Sequence, residues 1–108
     1  MHELTIDDLD RRRAVVEREL AAAAGGASMC AISKVAGSVP AAKHLEGRLG
    51  ALRDLRRALR KGEPGAEAVA RLAARWEAEL EAVLARDAGP DWRAYRAGGV
   101  DELSELAG

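Results

Sequence analysis

Four charged residues, Arg13, Lys34, Glu46 and Arg48, interrupt otherwise apolar or small-residue stretches of a 108-residue chain. Two arginines and a lysine gathered around a glutamate could clamp a dicarboxylate, because guanidinium groups bind carboxylates bidentately and stabilise developing negative charge. A plainer use competes with that one, since long arginine stems also cover apolar surface while their heads reach water. Cys30 is the single cysteine. If Ser28 caps a short helix, Cys30 lies in its first turn, where a thiol is activated; its neighbours Met29, Ala31 and Ile32 favour a small buried apolar role instead. His2 and His44 are isolated from other ligand types, and no Glu-x-x-His spacing occurs, so no metal is expected. Nucleophile triads, phosphate-cradling glycine loops and dinucleotide fingerprints are absent. These observations point to a protein that is not an enzyme and needs no cofactor.

A second set is basic. At 100° per residue, Lys43, Arg53, Arg57, Arg60 and Lys61 share one side of a helix. Such a face would neutralise phosphates, but no aromatic residue is interleaved, which argues against a base-stacking surface. Residues 28–48 can be tested as a DNA-binding helix-turn-helix. With Gly37 in the turn, the buried positions of the second helix fall on Lys43 and Glu46, and a register one residue later recovers Leu45 but leaves the turn too long. The basic face is therefore read first as a solvated side or as a docking surface for acidic protein, with Glu77, Glu79 and Glu81 of the same or another chain as partners. The third set is aromatic: Trp76 lies on an apolar helix face as an anchor of the core or of a dimer interface, and Trp92 and Tyr95 sit among charges, where they staple the tail to the rest or anchor a partner.

The elements that must position these residues are helical. Leu45, Leu49, Leu52, Leu55 and Leu59 keep a three-and-four spacing, mirrored after Lys61-Gly62-Glu63-Pro64-Gly65 by Val69, Leu72, Ala73, Trp76, Leu80, Val83 and Leu84. A turn this short folds the second helix back along the first, an antiparallel helical hairpin. Thr5 and Asp8 cap a first helix over residues 6–24, with Ile6, Leu9, Val16, Leu20 and Ala23 on its apolar side and Arg13 inside the stripe. A short helix is expected over 28–36, one turn over 91–96 before Gly98-Gly99, and a last short helix over 100–107. Gly47, Ala51 and Ala58 form a small-residue face; Gly47 and Gly50 each cost about 1 kcal/mol relative to alanine in a helix interior, which close helix contact or a kink would explain.

Ala numbers 24, against 27 for Leu, Ile, Val, Met, Trp and Tyr together, so the core is thin and self-association is a source of extra stability. The net charge of −1 conceals segregation: residues 1–33 carry six acids and four bases, 34–61 two acids and eight bases, 62–108 ten acids and five bases. No run approaches the roughly 18 apolar residues of a membrane span, and the start lacks a leader pattern. The expectation is a single all-α domain over 1–108, a small helical bundle built on the hairpin. It would act as a non-catalytic, cytoplasmic interaction protein, homodimeric or bound to a partner protein. A nucleic-acid-binding regulator using residues 40–61 is the alternative, and the Arg13, Lys34, Glu46, Arg48 site ranks third.

Overall fold

The computed structural model describes residues 3–24 and 38–108, and every described element is an α-helix: α1 (Ile6–Ala24), α2 (Ser38–Arg60), α3 (Gly65–Ala85) and α4 (Pro90–Ala107). The expected helix over 28–36, with Cys30 and Lys34, lies outside the described residues. Local chemistry sets the ends. Thr5 and Asp8 cap α1 reciprocally: the Asp8 N–H donates to Thr5 Oγ1 at 3.2 Å and the Thr5 N–H donates to Asp8 Oδ2 at 2.9 Å. After α2, the Gly62 N–H donates to the Leu59 carbonyl at 3.0 Å and the Glu63 N–H to that of Ala58 at 3.1 Å. This double closure needs a left-handed residue, which Gly62 supplies with φ +90°. The same pattern ends α3, where Asp87 takes the left-handed position. Pro90 opens α4 at a position where its missing N–H costs nothing.

The hairpin is antiparallel, as Trp76 of α3 lies level with Gly50 and Asp54 of α2 and its indole N–H donates to Asp54 Oδ2 at 3.2 Å. One apolar cluster joins the four described helices, with Leu9 and Val16 from α1, Ala51, Leu52, Leu55 and Ala58 from α2, Ala68, Val69, Leu72 and Trp76 from α3, and Leu103 from α4. In α1 only Leu9 and Val16 of the expected stripe are fully buried, while Ala23 is exposed. The most extensive contact is not across the hairpin but between α2 and α4, which also packs on α3.

That contact corrects the expectation for the C-terminal region. Gly98-Gly99 does not end a helical turn; α4 runs unbroken through it for 18 residues. The glycines are there for closeness. A Cβ at Gly98 would overlap the His44 carbonyl, one at Gly47 would overlap the Tyr95 carbonyl, and one at Gly99 would enter the Trp76 ring. Levels 44 with 98 and 48 with 102 rise together, so α2 and α4 lie parallel. The small-residue face of α2 therefore marks where α4 crosses it.

Candidate functional site

Two charged constellations flank α2, and they differ in what they leave unpaired. The first is a clasp. Glu102, on the buried side of α4 and 1% exposed, accepts hydrogen bonds from Arg12 Nε of α1 and from Arg48 Nη1 of α2, the latter at 2.8 Å. Glu105, one turn on, pairs with the same two arginines at 3.3 and 2.7 Å. Burial disfavours the charged forms of Arg12 and Arg48, but the Glu102 and Glu105 carboxylates outweigh it and raise both above the ordinary guanidinium value. The Arg48 hydrogen bond in turn holds Glu105 below the usual carboxylate range, against the opposing effect of its slight burial. A cavity of about 250 Å³ lies beside these groups. Every cation in the clasp has its carboxylate, so the arrangement ties α1, α2 and α4 together and offers no free clamp for a substrate.

The second is a cleft of about 790 Å³ between α1 and α2. Half-buried Leu49 and Tyr95 give it an apolar floor, with Leu9, Gly50 and Leu52 buried beneath. Its rim carries six cations, Arg13, Lys43, Arg53, Arg56, Arg57 and Arg60, against three carboxylates, Asp10, Glu17 and Glu46. Arg13 pairs with Glu17 at 2.6 Å, Arg56 with Asp10 at 3.0 Å and Lys43 with Glu46 at 3.0 Å. The last contact is electrostatic rather than directional, because the buried Glu46 Oε2 has no hydrogen-bond partner among the described residues. Arg53 is exposed and only 4.0 Å from Asp54, whose other oxygen holds Trp76. Arg57 and Arg60 are exposed and make no ion pair among the described residues.

The expected basic face is thus real as a surface but unequal in its members. Lys43 is half-buried and neutralised at the inner end, Arg53, Arg57 and Arg60 form an exposed ridge at the outer end, and Lys61 is exposed beyond the cleft. Pairing of this ridge with α3 of the same chain does not occur: Glu79 is engaged by Arg75 at 3.2 Å and by Arg96, while Glu77 and Glu81 are exposed without an ion pair among the described residues. The dicarboxylate clamp is not assembled either. Arg13 and Glu46 line the cleft, Arg48 serves the clasp, and Lys34 is not among the described residues.

The aromatic residues form a column from core to surface. Trp76 is fully buried within the chain, Tyr95 is tilted against it at 5.6 Å between ring centroids, and Trp92, 58% exposed, meets Tyr95 edge-on at 6.3 Å. The Arg96 guanidinium lies 5.1 Å from the Trp76 ring centroid and 5.4 Å from that of Tyr95. Tyr95 thereby staples α4 to the hairpin. Reasoning from sequence missed Arg12, Glu102 and Glu105. A signal existed for Arg12, which lies between Leu9 and Val16 on the buried side of α1, whereas Arg13, read as the intruder in that stripe, points to solvent and Glu17. No three His, Cys, Asp or Glu side chains among the described residues are grouped to hold a metal ion, and no helix among them is long and apolar enough to cross a membrane. Comparison with known proteins finds no match for this chain among family models, curated proteins or solved structures.

Proposed function

We propose that this chain is a non-catalytic cytoplasmic docking protein whose α1–α2 cleft receives an acidic, amphipathic helical segment of a protein partner. The observation that carries this reading is the union, in one cleft, of an apolar floor with an exposed ridge of arginines at 53, 57 and 60, two of which no carboxylate of the described residues neutralises. Helix-in-groove recognition uses these two components: apolar burial supplies affinity, and rim charges steer encounter and fix orientation. A photo-cross-linking residue at Leu49, on the cleft floor, tests it in cells. A specific cross-linked protein whose yield falls in the Arg57→Glu/Arg60→Glu background supports docking. No cross-link, or one indifferent to charge reversal, overturns it.

The same exposed ridge supports a second reading, contact with a nucleic-acid backbone, because cations one helical turn apart can each displace a phosphate counterion. The apolar cleft floor, to which phosphates contribute nothing, ranks the protein partner first. Binding of a short DNA duplex at low salt, with a salt slope reduced in Arg57→Glu/Arg60→Glu, would reverse that order; no binding at low salt would end the second reading.

A further inference from the structure

We infer that the acidic helix received by the cleft is α3 of a second copy of this chain, an inference that rests on the docking reading above and names its partner. The charge segregation along the sequence is complementary, with an excess of six positive charges over residues 34–61 and of five negative charges over 62–108. The fold satisfies it only in part within one chain: Arg48 takes Glu102 and Glu105, but Glu79 turns to Arg96, and Arg57, Arg60, Glu77 and Glu81 make no ion pair among the described residues. What remains on each chain is a matched pair of surfaces.

On α3, Ala74, Glu77, Ala78 and Glu81 share one exposed side, and neither glutamate has an ion pair among the described residues. On α2, Arg53 and Arg57 have the same four-residue separation, about 6 Å at the helical rise, with Arg60 one turn beyond Arg57. Alanines between the glutamates let the helix axis approach the rim closely, so that each carboxylate can reach a guanidinium. The contact also adds buried surface to a thin core, since four of the thirteen buried hydrophobic residues among the described residues are alanines. Reciprocal docking of two chains closes a dimer; one-way docking extends head to tail. In both cases the contact is the ridge of Arg53, Arg57 and Arg60 on Glu77 and Glu81, with Arg57 and Arg60 the members left without an acid among the described residues.

Sedimentation of the full chain over a concentration series, at low and at high ionic strength, tests the assignment. The wild type is expected to self-associate, more weakly at high salt. Arg57→Glu/Arg60→Glu and Glu77→Lys/Glu81→Lys are each expected to weaken association at least about tenfold, and an equimolar mixture of the two is expected to recover it. Recovery on mixing also shows that both variants are folded. A wild type that stays monomeric, a single variant that associates as the wild type does, or a mixture no stronger than its components overturns the inference. A monomeric wild type whose cleft still cross-links another protein in an Arg57- and Arg60-dependent way removes the second copy and leaves the docking reading standing; loss of both removes both.

Discussion

The two halves of α2 carry similar residues and put them to opposite uses. From Lys43 to Gly50 the helix is committed to its own chain: Gly47 admits the α4 backbone, His44 Nε2 lies 2.8 Å from Asp101, and Arg48 holds two glutamates. From Arg53 to Lys61 the leucine side is equally committed, but the arginine side meets solvent and, in Arg57 and Arg60, no acid among the described residues. The difference comes from backbone approach. Where glycines bring α4 against α2, the next turn of α4 delivers Glu102 and Glu105 to within reach of Arg48; Arg57 and Arg60 lie on another side of α2, along the α1–α2 cleft, where no carboxylate among the described residues reaches them.

The strongest way to break this contrast is to hold the α4 backbone away. Gly47→Ala or Gly98→Ala gains up to about 1 kcal/mol of helix propensity. Against that, the new methyl overlaps a backbone carbonyl that no rotamer change can move, so α2 and α4 must separate along their largest contact. Overpacking costs typically 1–3 kcal/mol, and here the rigid neighbour places the effect at the upper end or above, a net loss of about 2–3 kcal/mol. A fall in melting temperature of roughly 10–20 °C is expected. Gly89→Ala, whose added Cβ meets nothing within 4 Å, serves as the control and should shift stability by under about 1 kcal/mol. Equal losses at Gly47 and Gly89 would show that closeness is not what the glycines provide.

Next in size is the clasp. Glu102→Gln leaves Arg12 and Arg48 partly buried with only the half-exposed Glu105 as a charged partner, and should cost about 2 kcal/mol in urea unfolding, below the full penalty for breaking a buried pair because both arginines retain some water. The clasp also makes stability depend on acid. Glu105 is held below its ordinary value in the folded state, so its contribution is complete above the unfolded value of about 4.3 and is lost as pH falls through the lower folded value. Glu105→Gln should therefore be less stable than wild type near neutrality, by under about 1 kcal/mol for so exposed a group, with the gap closing below pH 4. A gap that stays constant into acid would assign the loss to packing instead.

Helices α1, α2 and α3, the cap of α1 and the antiparallel hairpin are legible in the sequence because they follow from periods of three and four, from Thr5 and Asp8, and from Gly62; α4 is legible only in pieces, split at Gly98-Gly99. The small face of α2 was also legible as a site of close approach. What could not be read is which element uses it. Glycine pairs both terminate helices and permit crossings, and nothing local to Gly98-Gly99 distinguishes the two; only the position of His44 and Trp76 in space does so. The charges pose the same difficulty at greater range. Arg12 and Arg48 depend on Glu102, 90 and 54 residues away in sequence, so their role is invisible to local pattern. The outer arginines were legible as a basic face because their role, being solvent-facing, needs no distant partner to define it.

The smallest effect sharpens the comparison most, since it uses one residue type on one helix. Arg57→Gln/Arg60→Gln removes two cations that crowd Arg53 and Arg56 at a spacing of four and each other at a spacing of three, relief worth a few tenths of a kcal/mol. It also removes favourable charge from the last turn of α2, where a cation is worth roughly 0.3–1 kcal/mol at low salt. The two nearly cancel, so the double variant should unfold within about 0.5 kcal/mol of wild type, as expected for surface sites without partners. Arg48→Gln, a single change one to two turns earlier on the same helix as Arg53, should cost several times more, because it strands the fully buried Glu102 with Arg12 alone. If removing Arg57 and Arg60 proved as damaging to folding as removing Arg48, the outer ridge would be part of the scaffold. A near-neutral result means that the two arginines do not serve the fold, which leaves them free for the docking proposed for the cleft.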